Sequence, residues 1–151
     1  PIAIAKSTGT SVAKVLRRLA SHPELEAGLV VCDRAGSILF RKPVGQLVIP
    51  RYGAACTLWP LFSALVNPGQ VIRTPLVQLG RARSHFDCFA VAEIVGEGGY
   101  NTPPLIEASM LLIPLSSAPE EDVLEVGSTC GVCPKERCQG RHEPSMLVEG
   151  Y

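Results

Sequence analysis

The sequence predicts an α+β domain built on a single antiparallel sheet with flanking helices. Two observations carry this prediction. The apolar patterns follow the order helix, strand, strand, extended segment, helix and three strands, so they do not alternate as they do in parallel βαβ units. In addition, short turns join neighbouring strand segments, and short connections require antiparallel pairing. With 151 residues, the chain is long enough for one domain to bury a core.

The first part of the chain contains one amphipathic helix and a pair of strands. Thr10 is predicted to cap a helix over residues 12–20, where apolar residues recur at helical spacing. Apolar runs at 29–32 and 38–40 lie on either side of a glycine-containing turn, which predicts two strands. Residues 44–49 form a further extended segment that ends at a proline.

A second helix is predicted over residues 57–66, with Thr57 as its cap and Pro60 in its first turn, where the missing amide costs no hydrogen bond. Cys56 then lies at the helix start, and the positive end of the helix dipole favours a thiolate there. This environment suits a metal ligand or a reactive sulfur. The alternative is a small core residue packed under Trp59.

Three more strands are predicted at 71–79, 86–95 and 109–115. Pro75 makes the first of them an edge or bulged strand. The glycine-rich loop 96–104 is predicted either to cover a ligand site or to serve as a plain connection. An antiparallel sheet with a helix in mid-chain is shared by small-molecule sensor domains of the GAF and PAS type, and this comparison is an analogy of fold.

Charge and hydropathy exclude several classes of protein. Fourteen basic residues balance fourteen acidic ones, so no basic face predicts that the chain binds nucleic acid by itself. No apolar run approaches the ~20 residues of a membrane-spanning helix, and no signal peptide is recognised. We therefore expect a cytoplasmic protein without a membrane partner, in which thiols stay reduced and favour metal or redox chemistry. Because the chain begins at Pro1, we expect a fragment of a longer protein.

The strongest chemical signal is a cysteine-rich stretch near the C-terminus. Cys130 and Cys133 have the Cys-x2-Cys spacing that lets two sulfurs reach one ion, and Cys138 and His142 follow closely. Four such side chains predict a metal or cluster loop. The alternatives are small buried apolar residues or a disulfide pair.

The sequence gives weaker support to enzyme chemistry. Cys56 can serve as a nucleophile with His85 and Asp87 as partners, but no catalytic motif surrounds the latter two. The glycines at 96–99 precede a proline pair and no helix, so nucleotide binding of the P-loop or Rossmann kind is not supported. Four arginines have side chains that can bind phosphates or carboxylates, although most of them are expected to be solvated surface residues: Arg73, Arg81, Arg83 and Arg141.

Two motifs together resemble a known family. One is GAACTLW at 53–59, followed by NPG at 67–69, and the other is CxxCxxxxCxxRxxP at 130–144. They resemble the C-terminal domain of bacterial short-chain fatty acyl-coenzyme A regulators, which are XRE-type transcription factors, and the similarity covers most of the chain. The resemblance implies an effector-sensing domain, not an enzyme, that controls genes of propionate, acetate or related acyl-coenzyme A metabolism. It also implies a preceding helix-turn-helix, missing here, through which the full protein binds DNA.

The resemblance also implies a metal site. The family has a cysteine before Leu-Trp, at the position of Cys56, which would join Cys130, Cys133 and Cys138 in a four-cysteine site for zinc or an iron-sulfur cluster. This chain departs from the family pattern at positions 57 and 142–143, so His142 stays an alternative fourth ligand.

The resulting expectation is a single effector-sensing domain over residues 1–151. Residues 1–126 would form the sheet and helices, and residues 127–151 a cysteine-rich clasp. The expected effector is a short-chain acyl-coenzyme A or a related metabolite, with Trp59, Arg73 and Arg141 as candidate ligand-binding residues.

Two other functions stay open. One is an iron-sulfur or thiol-based redox or oxygen sensor of a transcriptional regulator, and the other is a thiol enzyme that depends on Cys56. A homo-oligomer is expected because regulators that bind palindromic DNA share its two-fold symmetry.

Overall fold

The structure is a computed structural model that describes residues 1–148. Residues 149–151, the end of the expected clasp, lie outside the described residues. The helices are α1 (Ile2–Thr8), α2 (Val12–Ala20) and α3 (Pro60–Ala64), and a short 3-10 turn covers Cys130–Val132. The strands are β1 (Gly28–Asp33), β2 (Ile38–Lys42), β3 (Ile72–Gln78), β4 (Ser84–Ile94), β5 (Ile106–Pro114) and β6 (Leu124–Val126).

The described strands form one sheet in the order β2-β1-β5-β4-β3-β6. Neighbours from β2 to β3 pair antiparallel, whereas β6 runs parallel to β3. The α+β class is confirmed, but the prediction of an entirely antiparallel sheet is wrong. The physical reason is the connection after β5, which crosses two strands to reach the far edge and so brings β6 in parallel to β3. A three-residue strand is also too short to produce a recognisable pattern.

Helix α2 covers one face of the sheet. Its residues Ala13, Leu16 and Ala20 are buried in a cluster with residues of β1, β4 and β5. Ser11 caps it, because its hydroxyl oxygen accepts the amide of Lys14 at 3.3 Å, so the predicted cap at Thr10 is off by one residue.

Helix α1 was not predicted from the sequence. The helix has only seven residues, and Ala5 is its one buried side chain. Such a short helix with little buried surface gives no amphipathic pattern to recognise. It ends at Gly9, whose φ of 64° is a left-handed conformation that glycine adopts without strain.

The opposite face of the sheet is covered by α3 and the segment before it. This side holds the larger core, including Trp59, Leu61, Phe86 and Met110. The predicted second helix is shorter than expected, since it begins at Pro60 and ends at Ala64. Its N-cap position is occupied by Trp59, so the prediction that Thr57 caps it is wrong.

Residues 44–49 form no strand. Instead, the side chain of Gln78 takes the place of a neighbouring strand, accepting the amide of Val48 at 2.8 Å and donating to its carbonyl at 2.9 Å. The prediction that Pro75 makes β3 an edge or bulged strand is wrong, because β3 lies between β4 and β6 in the sheet. The proline is tolerated because β6 pairs with β3 only from Leu76 onward, so at Pro75 the strand has a neighbour on one side only. No helix in the described part of the chain is long and apolar enough to span a bilayer.

Candidate thiol site and adjoining groove

The segment that follows β6 packs against the turn that precedes α3. Trp59 Nε1 donates to the carbonyl of Gly127 at 2.8 Å, and the Cys56 amide donates to the carbonyl of Ser128 at 2.9 Å. Further along, the Thr57 hydroxyl donates to the carbonyl of Gly140 at 3.2 Å. These three bonds join two segments that are far apart in sequence, and they explain why the cysteines of both segments meet.

Four cysteines line one small cavity between these segments: Cys56, Cys130, Cys133 and Cys138. The first three are buried, the fourth is half-buried, and all four are free thiols. The structure therefore brings together the four cysteines that the resemblance to the regulator family implies.

Two glycines make this close approach possible. A β-carbon at Gly127 would lie 2.9 Å from Cys133 Sγ, and one at Gly140 would lie 2.8 Å from Thr57 Oγ1. Both distances are shorter than van der Waals contact. A larger residue at Gly127 would displace the Cys133 side chain, and one at Gly140 would push the cysteine loop away from Thr57.

Reduced thiols are soft donors that suit zinc or an iron-sulfur cluster, so the chemistry of this set fits either group. Within residues 1–148, no three His, Cys, Asp or Glu side chains are already placed as a coordination sphere. Ligation by these thiols would therefore require side-chain rotation toward the shared cavity.

His142 is less favourably placed than Cys56. Its ring is exposed, with Nδ1 3.5 Å from Cys130 Sγ and 3.4 Å from the carbonyl oxygen of Gly140. Cys56 borders the cavity together with the other three cysteines, whereas His142 lies outside its lining. Geometry thus favours Cys56 as the fourth member of the set, and ligation by either residue stays a prediction.

Arg141 organises the cysteine loop. Its Nη1 donates to the carbonyls of Cys130 at 3.1 Å and Glu143 at 3.4 Å, while Nη2 donates to those of Cys133 at 3.4 Å and Lys135. A guanidinium carries five N–H donors in a rigid planar fork, so it can satisfy several backbone acceptors at once. The contacts give Arg141 a structural role, and its predicted contact with an effector stays untested.

Burial raises the pKa of the Cys56 thiol, and the nearby Cys130 and Cys133 raise it further. Backbone hydrogen bonds from Gly127 and Leu58 act in the opposite direction but are smaller than the effect of burial. The prediction of a helix-stabilised thiolate is therefore wrong, because the helix begins four residues later and desolvation dominates. Metal binding at this thiol must release its proton.

The other two candidate ligand-binding residues lie apart from each other. Trp59 is only 1% exposed and belongs to the core, which leaves no surface for an effector in this conformation. Arg73 is exposed on β3, where it forms a bidentate ion pair with Asp87 at 3.1 Å and lies over the ring of Phe89 at 5.8 Å. The residues predicted to bind an effector therefore do not form one site.

A groove of about 500 Å³ adjoins the thiol cavity, and sequence reasoning missed it. It lies between the β3–β4 turn, the segment around Val48 and the C-terminal segment. Apolar side chains dominate its wall, and one arginine lies in the turn: Val48, Leu79, Arg81, Val132, Met146 and Leu147. The exposed fractions of Val48, Met146 and Leu147 are 56%, 81% and 60%, which is an unusual concentration of apolar surface. The one signal of this surface in the sequence is the Met-Leu pair that follows the cysteine-rich stretch.

Residues 25–149 match the family model described as short-chain fatty acyl coenzyme A regulator, C-terminal. The chain belongs to this family. A relative, the propionyl-CoA carboxylase regulator of Cereibacter sphaeroides, is 24% identical over an alignment of 155 positions. The alignment covers 91% of this chain and 33% of the relative. The regulator domain thus spans about a third of the curated protein that it matches.

The solved structure of a Mycobacterium tuberculosis transcriptional regulator superposes on the regulator domain with a TM-score of 0.78 at 20% sequence identity. The match covers 96% of this chain and 49% of the solved chain. This likeness shows that the fold is shared. The family description makes this chain the C-terminal domain of a regulator.

The geometry of the regulator domain separates the side chains that the thiol-enzyme prediction combined. Cys56 packs in the core on one side of the sheet. His85 and Asp87 lie on the other side, because side chains alternate along β4 and Phe89 faces α2. The predicted partnership of Cys56 with His85 and Asp87 is therefore wrong.

Proposed function

We propose that this chain is the effector-sensing domain of a transcriptional regulator and that it responds to a short-chain acyl-coenzyme A. The observation that carries the proposal is the groove beside the cysteine loop, in a domain whose family is described by acyl-coenzyme A regulation. DNA binding would reside in a helix-turn-helix elsewhere in the longer protein, which would act in the cytoplasm as a homo-oligomer. The analogy with GAF and PAS sensors belongs to this proposal and rests on the antiparallel strands and mid-chain helix alone.

The groove has the size and chemistry to bind part of an acyl-coenzyme A. Its volume falls within the range of small-molecule sites, which is roughly 300–1,000 Å³. Apolar walls such as Leu79 and Met146 suit an acyl chain and its pantetheine arm. Arg81 at the turn, next to the exposed Arg83, suits the phosphates, because a guanidinium binds phosphate oxygens in a bidentate manner. Loop 96–104 follows the other end of β4, so the proposal gives it no role as a cover.

Calorimetry with acetyl-, propionyl- and butyryl-coenzyme A tests this assignment. Arg81→Gln removes one charged phosphate donor and should weaken binding about tenfold, or ~1.4 kcal/mol. Arg18→Gln is the matched control, since Arg18 is an exposed arginine on α2. Absence of binding for all three ligands would refute the proposed effector class, and equal effects of the two substitutions would refute the site.

We further propose that Cys56, Cys130, Cys133 and Cys138 hold a zinc ion or an iron-sulfur cluster that fixes the C-terminal segment. The support is the convergence of four free thiols on one cavity. Such a group would cross-link the thiolates and offset part of their negative charge, while Arg141 and the glycines would hold the loop in position.

Elemental analysis and an absorption spectrum of protein prepared without oxygen test the metal proposal. Cys56→Ser should lower the metal content, and His142→Ala should not. Cys32→Ser is the matched control, because Cys32 is also a buried cysteine but lies in β1, away from the thiol cavity. Full metal content in Cys56→Ser together with loss in His142→Ala would instead identify the histidine as the fourth ligand.

A second candidate function is a redox or oxygen sensor in which the thiol cavity itself receives the signal. The observation that favours it is again the set of reduced thiols around one space. A visible absorption band that bleaches in air would support a cluster of this kind. A colourless protein with one zinc per chain would exclude the cluster form of this sensor.

A further inference from the structure

We infer that the thiol site and the groove are energetically coupled, so that metal occupancy controls effector affinity and effector binding slows metal release. The inference rests on the proposed function, because it takes the groove as the effector site and the four cysteines as the metal site. It adds a regulatory link between them, which follows from a wall that both spaces share.

The 3-10 turn Cys130–Val132 forms that wall. Cys130 and Cys133 border the thiol cavity, whereas Val132, which lies between them in sequence, borders the groove and is 44% exposed. A group that binds both cysteines would therefore fix the side chain of Val132 in the groove. Ser128 connects the two spaces as well, since it lines the groove while its carbonyl accepts the amide of Cys56.

The outer wall of the groove is attached to the same turn. The carbonyl of Gly131 accepts the amide of Met146 at 3.0 Å, and the amide of Gly131 donates to Glu143 Oε1 at 3.1 Å. In addition, the Ser145 hydroxyl donates to the carbonyl of Cys133 at 2.7 Å. Met146 and Leu147 reach the groove through these bonds, so their position depends on the order of the turn between the two cysteines.

These contacts predict the direction of coupling. Without a metal, nothing but hydrogen bonds and packing orders the turn, and an effector must bear the entropic cost of fixing Val132 and Met146. With the metal bound, that cost is already met. Affinity for the effector should therefore rise on metal binding, and by reciprocity metal affinity should rise by the same factor on effector binding.

The experiment uses the chain with Zn²⁺ as the metal and propionyl-coenzyme A as the effector. We expect the Kd of propionyl-coenzyme A to increase about tenfold when a chelator removes the zinc, within the range of measured couplings. In the reverse direction, saturating propionyl-coenzyme A should slow zinc transfer to a chromophoric chelator by a similar factor. The second measurement uses only the folded, zinc-loaded chain, so it stays valid if the chain without zinc unfolds.

Glu143→Ala tests the route through the turn, because Glu143 is exposed, borders neither space and contacts the amide of Gly131. It should reduce the tenfold effect to about twofold, whereas Glu136→Ala, an exposed acidic residue of the same loop, should leave it unchanged. Zinc release that is equally fast with and without propionyl-coenzyme A would overturn the coupling and leave the proposed function intact. Absence of propionyl-coenzyme A binding to the zinc-loaded chain would refute the proposed function, and the coupling with it.

Discussion

Replacing Trp59 with phenylalanine tests whether the bond to Gly127 fixes the cysteine segment against the core. The indole is 1% exposed, its Nε1 donates to the buried carbonyl of Gly127 at 2.8 Å, and its ring stacks on Phe62 at a centroid distance of 6.4 Å. Phenylalanine keeps an aromatic ring at this position but removes the donor and part of the volume.

The expected loss of stability has two parts. Leaving a buried carbonyl without its donor costs about 1–3 kcal/mol. The smaller ring adds about 1 kcal/mol, since complete truncation of a buried tryptophan to alanine costs about 3–5 kcal/mol. Together they give about 3 kcal/mol, a large fraction of the roughly 5–15 kcal/mol by which a domain of this kind is stable.

Urea unfolding followed by far-UV circular dichroism measures the effect. Fluorescence is unsuitable because Trp59 is the only tryptophan of the chain. With a slope of about 2 kcal/mol per molar urea, the midpoint should fall by about 1.5 M. The matched control is Phe62→Leu, which reduces the volume of the stacked partner without removing a hydrogen bond and should cost about 1 kcal/mol.

Equal midpoints for Trp59→Phe and Phe62→Leu would refute the reasoning, because the hydrogen bond would then contribute nothing beyond packing. A decrease in slope for Trp59→Phe alone would indicate that the cysteine segment detaches before the core unfolds, in which case the unfolding is not two-state.

Two further predictions concern packing and alkaline stability. Gly127→Ala should destabilise the domain by about 1–3 kcal/mol, because its β-carbon would lie 2.9 Å from Cys133 Sγ. The control is Gly99→Ala, whose β-carbon would meet no atom within 4 Å and which should change the urea midpoint little. Burial raises the pKa of Cys32 from 9.0 to about 11, so its stabilising contribution is present below pH 9 and is lost between pH 9 and pH 11 as the unfolded chain ionises first. Unfolding curves at pH 8 and pH 10.5 measure this effect. Between these two pH values, Cys32→Ala should lose about 2 kcal/mol less stability than the parent chain. Identical losses in the two proteins would contradict the assignment to Cys32.

Local sequence signals predicted the elements whose patterns are complete within a few residues. Helix α2 follows from apolar residues at helical spacing, and β1 and β2 follow from two apolar runs around one turn. Helix α3 was predicted in the correct place but too long, because the Asn-Pro-Gly turn at 67–69 predicts an end at Val66, whereas the helix ends at Ala64.

The cysteine set shows what local spacing cannot predict. Spacing alone grouped Cys130, Cys133 and Cys138 with His142, since all four are neighbours in the chain. The resemblance to the regulator family added Cys56, and the structure places this residue at the shared cavity while leaving His142 exposed. No local pattern contains this information, because the contact depends on hydrogen bonds such as that from Trp59 to Gly127, between segments nearly 70 residues apart.

The sequence by itself determined the α+β class, most element positions and the family, because those depend on periodicity, turn residues and motif spacing. Only the tertiary structure decided that β6 pairs parallel to β3, that His85 and Asp87 lie across the sheet from Cys56, and that a groove shares a wall with the thiol cavity. The physical reason is that sheet order and cavity walls arise from contacts between distant segments. A one-dimensional pattern specifies which residues become buried, and the packing of the whole chain selects the partners that they meet.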